Sequence, residues 1–381
     1  MAEAATRQRF LIISNGHGED AIAAQFVRLL PDSVSAEAYP MIGNGNAYQC
    51  VCPIVGPRAT LASEGWRNVK GSVRRDIVNG GLMTVPPALK FLRAAKSQYD
   101  RVIVIGDVTG VLACLLTGHR NIIYLDVYKT GAARLYSRME RFVIKKACKL
   151  VFCRAKNLAE LLNASGVDAR FAGNVMMDTV PYGDYNAELR RSRPFAITLL
   201  PGSRALTAES FALQVAALRL LPNELKADIF LAVAGSVNVD ELARAAGLSR
   251  VAELSTEPDD LGALADGTLK INLARGRAMG NLLRVSDLVL SQAGTATVQS
   301  LGMGRPVITF RNARDRRSRF EDEQNLFGEA RVVVDANAES IAQALLALMS
   351  SAEERARLGD IGRQRIGGPG ALDTVLAELT A

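Results

Sequence analysis

Histidine is nearly absent from this chain of 381 residues, which holds only His17 and His119. Cysteine is sparse too: Cys50, Cys52, Cys114, Cys148 and Cys153 include no CxxC pair. A structural zinc site needs four closely spaced Cys or His ligands, so these two shortages argue against one. They fit reduced thiols in the cytoplasm and no metal centre. No repeat period or low-complexity tract is present, which argues against a solenoid and against disorder. No apolar run approaches the roughly 18 to 20 residues that span a bilayer. VIVIGDVTGVLACLL comes closest, but it carries Asp107 and two glycines and reads as strand, loop and helix start. MAEAATRQRF lacks the apolar core of a signal peptide. No Walker lysine follows any glycine loop, so a P-loop NTPase is not supported.

What is present is a chain with 49% hydrophobic residues and an uneven charge. Residues 1–190 hold 24 Lys/Arg against 16 Asp/Glu, while the remainder holds 22 against 23. One half is basic and the other near neutral, a pattern that points to an anionic partner for the first half. Apolar β-rich runs alternate with helical periodicity. Strands are predicted at 9–14, 34–39, 102–106, 121–125, 150–153 and 169–172. The polar stretch PYGDYNAELRRSRP (181–194) reads as a linker, after which strands are predicted at 195–201, 229–235, 288–292, 306–310 and 332–335. The length exceeds one ordinary core. Near-continuous apolar strands between helices predict an α/β protein of two Rossmann-like domains, with parallel sheets covered on both faces and facing an interdomain cleft. Ligands of such sheets bind beyond the carboxyl ends of the strands, so the loops there are the candidate sites.

The first such loop holds Gly16-x-Gly18-x-x-Ala21, which matches the dinucleotide fingerprint and opens the reading of a nicotinamide oxidoreductase, with Glu37 as its ribose acid. Glu19 and Asp20 in the first helical turn complement the helix dipole and compete with a phosphate there. His17 is either a plain loop residue or a catalytic one. Asp107, directly after RVIVIG, is either a general base or a helix cap. In the second half, LLPGSR brings Gly202, Ser203 and Arg204 to a strand end, where small residues admit a ligand and an arginine fork suits phosphate. The turn Gly294-Thr295-Ala296-Thr297 leads into a helix whose amides suit a diphosphate, and Gln324 and Asn325 precede the final strand. Residues 58–96 carry eight Lys/Arg among Trp66, Leu82, Met83, Val85 and Phe91, and 129–156 carry nine against one acid. Cations interleaved with apolar groups suit an anionic bilayer surface, although a solvated helix face would also be basic. The aromatics do not recur as a stacking platform, so nucleic acid is not expected.

SNGHGEDAIAA, GNVMMD (173–178), LLPGSR and AGTATVQSLGMGRPVI together resemble the lipid-A-disaccharide synthase-related proteins, over residues 10 to 340 and in matching order. The resemblance implies a GT-B glycosyltransferase that moves a sugar from a UDP-sugar to a membrane lipid, inverting and metal-independent, with no cofactor beyond the nucleotide-sugar donor. It implies an acceptor and membrane-facing domain over 1–185, and a nucleotide-sugar-binding domain over 186–381 whose final helix is free to cross back. Gly202, Ser203, Arg204, Gly235, Gly294, Thr295, Ala296, Thr297, Gln299, Gln324 and Asn325 would line the donor. Asp107 would be the base, with His17 or Glu19 orienting a sugar hydroxyl. Trp66, Arg74, Arg75, Leu82 and Met83 would face the lipid acceptor and the anionic inner leaflet, making the protein cytoplasmic and peripheral to the inner membrane. Val298 stands where the related proteins often carry an acid. Alternatives are a UDP-sugar 2-epimerase, which shares the fold, and a non-catalytic membrane-binding protein.

Overall fold

The computed structural model describes residues 7–59, 81–132, 135–202, 206–251, 255–312, 315 and 317–380. The chain forms two units, Met1–Thr179 with Pro369–Ala381, and Val180–Gly368.

Unit 1 is built on six parallel strands: β1 (Gln8–Ser14), β2 (Val34–Pro40), β3 (Arg101–Gly106), β4 (Ile122–Asp126), β5 (Cys148–Cys153) and β6 (Ala169–Phe171), in the order β2-β1-β3-β4-β5-β6. β1, β3 and β4 are apolar almost throughout because helices cover both faces of the sheet. On one face, Leu11, Ile13 and Val104 pack with Leu92 of α2 (Val85–Ala95), Val111 of α3 (Val108–Leu116), Ile144 of α4 (Arg138–Ala147) and Leu158 of α5 (Lys156–Asn163). On the other, Phe10, Ile12 and Ile105 meet Ile22 and Phe26 of α1 (His17–Arg28). α3 lies close on its strand because it has Gly110 there: a Cβ would stand 2.8 Å from Val104 Cγ1. Strand order reverses between β1 and β3, which puts the switch point of this sheet at the carboxyl ends of these two strands.

Unit 2 has eight strands: β7 (Ala196–Leu200), β8 (Asp228–Val233), β9 (Ser249–Val251), β10 (Asp260–Ala265), β11 (Lys270–Arg275), β12 (Leu288–Ser291), β13 (Val307–Phe310) and β14 (Arg331–Val334), in the order β14-β13-β12-β7-β8-β11-β10-β9. The six strands from β14 to β11 are parallel; β10 runs antiparallel to both β11 and β9, an addition not predicted above. One face is covered by Phe211 and Val215 of α6 (Thr207–Arg219), Leu242 of α7 (Val239–Ala246) and Ile341 and Leu345 of α11 (Ala338–Ser350). On the other, Leu282 of α8 (Met279–Val285) packs with Phe230 and Ala274. The helices α9 (Thr295–Gly302), α10 (Arg317–Phe327) and α12 (Ala352–Ile366) complete this unit. The reversal of strand order falls between β7 and β12. The stretch 181–194 is not a free linker: Tyr185 is 3% exposed, Arg190 pairs with Asp260 and Glu257 at 2.6 and 2.8 Å, and Arg191 pairs with Asp287 at 2.8 Å.

Candidate functional site

Unit 2 supplies three glycine turns at one edge of its sheet, after the adjacent strands β8, β7 and β12. Gly202 follows β7 with φ +99°, a backbone conformation that strains any side chain, while a Cβ there would make only ordinary contact with the Gln292 carbonyl oxygen at 3.6 Å. Gln292 N–H bonds the Leu200 carbonyl at 2.8 Å, which ties the β12 loop to the end of β7. The Gln292 side chain is also held: Nε2 donates to Thr309 Oγ1 at 3.1 Å and Oε1 accepts from Asn312 Nδ2 at 3.4 Å. Gly294 and Thr295 are exposed, and a Cβ on Gly294 would meet nothing within 4 Å. α9 begins there with no acid in its first turn and no side-chain cap. Open amides at the positive end of a helix, beside a glycine that admits close approach, favour an anion. Gly235, exposed in the turn after β8, leaves the same open space.

Other residues assigned to the donor have different duties. Thr297 is 3% exposed; its hydroxyl pairs with Ser291 Oγ at 2.7 Å and donates to the Ala293 carbonyl at 2.5 Å. It braces the turn and does not offer a hydroxyl to a ligand. Gln299, also 3% exposed, lies on the buried side of α9, where Val298 is 6% exposed. Gln324 spends its amide on unit 2 itself, donating to the Gly328 and Arg331 carbonyls at 2.9 and 3.0 Å and accepting from Arg331 Nε at 2.8 Å. Asn325 is exposed, and its carbonyl accepts from Arg365 at 3.0 Å. Ala296 is half-buried in the first turn of α9. Ser203 and Arg204 lie outside the described residues.

In unit 1 the loops after β1 and β3 meet at the reversal point. Asp107 is the N-cap of α3: Oδ1 accepts from Thr109 N at 2.8 Å, and from Asn15 Nδ2 at 3.0 Å. The capping reading is therefore fulfilled, and Asn15 fixes the carboxylate from the β1 loop. Glu19 reaches the same edge, since a Cβ on Gly106 would sit 3.5 Å from Glu19 Cγ. His17 opens α1, with its side chain outside the description. Asp20 does not face a phosphate seat. It is 1% exposed and accepts from Ser14 Oγ at 2.5 Å, and Ser14 Oγ also pairs with Tyr48 Oη at 2.6 Å. Burial raises the Tyr48 hydroxyl well above its usual value. Glu37 is unsuited to hold a ribose. It lies three residues short of the β2 end, in register with Leu11, and is engaged by Arg9 at 3.4 Å and by the Tyr99 hydroxyl.

Two groups at this edge were not singled out in the sequence. Asp126 ends β4 and is 1% exposed; Oδ1 accepts from Tyr128 N and Lys129 N at 2.9 and 3.1 Å, and Oδ2 accepts from the Tyr136 hydroxyl. Burial pushes its carboxyl up to about 6, against the pull of these donors. Arg154 follows β5, with Nη2 sealed from solvent and without a hydrogen-bond partner. The signal was the one that pointed to Asp107: IIYLD and VFCR each end an apolar strand in a charged residue. Of the membrane set, Met83 is 77% exposed; Trp66, Arg74 and Arg75, and the side chain of Leu82, lie outside the description. α3 and α4 expose Leu112, Leu116, Met139 and Phe142, beside exposed Arg138, Lys145 and Lys146. Among the described residues no helix is long and apolar enough to cross a membrane, and no three Asp, Glu, His or Cys are grouped to hold a metal ion.

Two Rossmann-like units, each with its reversal point at the strand carboxyl ends, define the GT-B fold. Solved structures of that fold match the whole chain. The UDP-GlcNAc 2-epimerase from Neisseria meningitidis bound to UDP-GlcNAc superposes with TM-score 0.62 at 12% identity, covering 98% of this chain and 100% of that one. MnaA of S. aureus with UDP gives 0.61 at 16%, covering 98% and 96%. MurG of Acinetobacter baumannii gives 0.58 at 16%, covering 98% and 99%. No protein-family model and no curated protein matches the sequence.

Proposed function

We propose that the protein is a UDP-sugar-dependent enzyme that transfers the sugar to a membrane lipid, with inversion and without a catalytic metal. The observation that carries the nucleotide assignment is the β7/β12 edge of unit 2, where Gly202, Gly294 and the uncapped start of α9 leave backbone amides open to a diphosphate. Support comes from the solved structures of this fold, two of which hold UDP or UDP-GlcNAc. In this reading unit 2 holds the donor and unit 1 the acceptor. The acceptor oxygen bonds to the anomeric carbon as the bond to UDP breaks. Asp107 takes the hydroxyl proton, and the loop amides with Arg204 stabilise the charge left on UDP. Asn15 keeps the carboxylate in place, and Glu19 is within reach of the same edge.

The lipid reading is supported by the basic bias of residues 1–190 and by the exposed apolar and cationic side chains of α3 and α4. Calorimetry with UDP tests the core of the proposal. The wild type is expected to bind and Arg204→Ala to bind more weakly; no UDP binding by the wild type would overturn it.

A second reading, a UDP-sugar 2-epimerase, is favoured by the Neisseria meningitidis epimerase structure above, which superposes at least as well as MurG. Incubation with UDP-GlcNAc and no acceptor separates the two readings. Formation of the C2 epimer supports the second, and an unchanged sugar that is consumed only with lipid present supports the first.

A further inference from the structure

The carboxyl edge of unit 1 is mostly self-satisfied. Asp107 is engaged by Thr109 and Asn15, Asp126 by three donors, and Lys129 by Glu140 at 2.8 Å. Arg154 is the exception. None of its nitrogens makes a hydrogen bond or ion pair among the described residues, although Nη2 is sealed from solvent. The residue as a whole is half-buried, with its charged end the enclosed part. Asp126 is the charge that acts on it, and the oxygens of Asp126 are already taken by Tyr128, Lys129 and Tyr136. Enclosure accordingly lowers the guanidinium to about 10. An arginine cannot discharge itself at neutral pH, so the fold carries an under-compensated cation.

A second feature stands beside it in the chain. α5 starts two residues on, at Lys156, with Ala155 as N-cap, no side-chain acceptor and no acid in its first turn. Of the other helices that start from this edge, α1 has Glu19 and Asp20, α3 has Asp107, α4 has a Ser137–Glu140 capping box, and α2 opens with Pro86 and Pro87, which have no N–H to satisfy. The uncapped start of α5 and the unpaired guanidinium therefore lack the same thing, a compact negative charge. They lie beyond the carboxyl end of β5, where ligands of such sheets bind. Registers Gly106↔Asp126 and Leu125↔Phe152 put Arg154 two strands from Asp107, about 10 Å between backbones.

We propose that Arg154 and the start of α5 form an anion subsite in unit 1 for a phosphate monoester or carboxylate. The group belongs either to a soluble metabolite or to a lipid headgroup. The subsite stands independently of the UDP-sugar reading, because its test compares two forms of the chain and needs no turnover. The full-length protein and Arg154→Met are titrated with inorganic phosphate, by calorimetry and by thermal unfolding. The wild type is expected to bind and to gain stability, while Arg154→Met binds at least about tenfold more weakly and keeps its response to UDP. Without phosphate, Arg154→Met is expected to melt at or above the wild-type temperature, since an unpaired buried charge has been replaced by an apolar side chain. Arg154→Lys, which keeps charge but loses the fork, is expected to bind at an intermediate level and serves if the Met variant does not fold. Phosphatidylcholine vesicles with and without phosphatidic acid identify the source. Arg154-dependent capture that free phosphate competes away marks a headgroup, and phosphate binding without capture marks a soluble anion. A wild type that does not respond to phosphate, or variants that respond as it does, overturns the subsite.

Discussion

Asp107 performs a structural task and is offered a chemical one, and a single atom separates them. Asparagine is as good an N-cap as aspartate, so Asp107→Asn is expected to leave α3 and the fold intact. As a base it would be useless, and turnover should fall by about 10²–10⁴ in a steady-state assay while UDP affinity stays unchanged. Near-normal turnover would leave Asp107 with the cap alone. Asp126 makes a different prediction. Its folded value, about 6, lies above the ordinary 3.8, so the folded state holds the proton more tightly. Its contribution to stability is present below about pH 4 and is lost as pH rises through 6. Over that interval the wild type should lose up to about 3 kcal/mol that Asp126→Asn does not, measured by urea unfolding across pH. Parallel curves for the two proteins would contradict it. Both aspartates end apolar strands, and a strand-end charge is legible in sequence. Whether it faces a ligand or braces its own loop depends on partners chosen by the fold: Asn15 for Asp107, Tyr136 for Asp126, Arg331 for Gln324. That is why Thr297 and Gln324 look like ligand residues in sequence and are braces in the structure.

At the scale of elements, α9 is set by its neighbour α12. A Cβ on Gly362 would stand 2.6 Å from the Leu301 carbonyl oxygen, and one on Gly359 2.5 Å from that of Gly304. Backbone cannot swing aside as a flexible side chain does, so Gly362→Ala should cost about 1–3 kcal/mol. Displacing α9 would also displace the amides at its start, and calorimetry should record weaker UDP binding in step with the lower melting temperature. Wild-type affinity in a destabilised Gly362→Ala would break that link. The parallel strands are legible because burial on both faces makes them continuous apolar runs, as in FLIIS and VIVIG. β9, β10 and β11 escaped notice because they are short and ionic at their ends, as in KINLAR. Their signal lay in the turn: Asp266-Gly267 between β10 and β11 is a hairpin dipeptide, and Asp266 Oδ1 accepts from Thr268 N and Leu269 N at 2.7 and 2.8 Å.

For the whole molecule, charge is the property that composition alone made visible. If the exposed face of α3 and α4 meets an anionic bilayer, sedimentation with phosphatidylglycerol vesicles should weaken steeply as salt rises. Replacing Lys145 and Lys146 by Glu should abolish it, while UDP binding is preserved; vesicle binding that ignores both changes would remove the membrane from the proposal. The division of the chain has a further effect. Unit 2 is one continuous stretch, whereas unit 1 is closed by α13 (Ala371–Thr380), which buries Leu372, Val375 and Leu379 against Phe10, Ile12 and Ile22. The Asp178 carboxylate binds Gly370 N and Leu372 N, and Arg101 donates to the Leu379 carbonyl at 2.8 Å. On a ribosome adding about 5–20 residues per second, residues 180–368 emerge between the two parts of unit 1, a wait of roughly 10 to 40 seconds. During that time the first half of unit 1 presents an uncovered apolar face to the cell, a period in which a chaperone has something to hold.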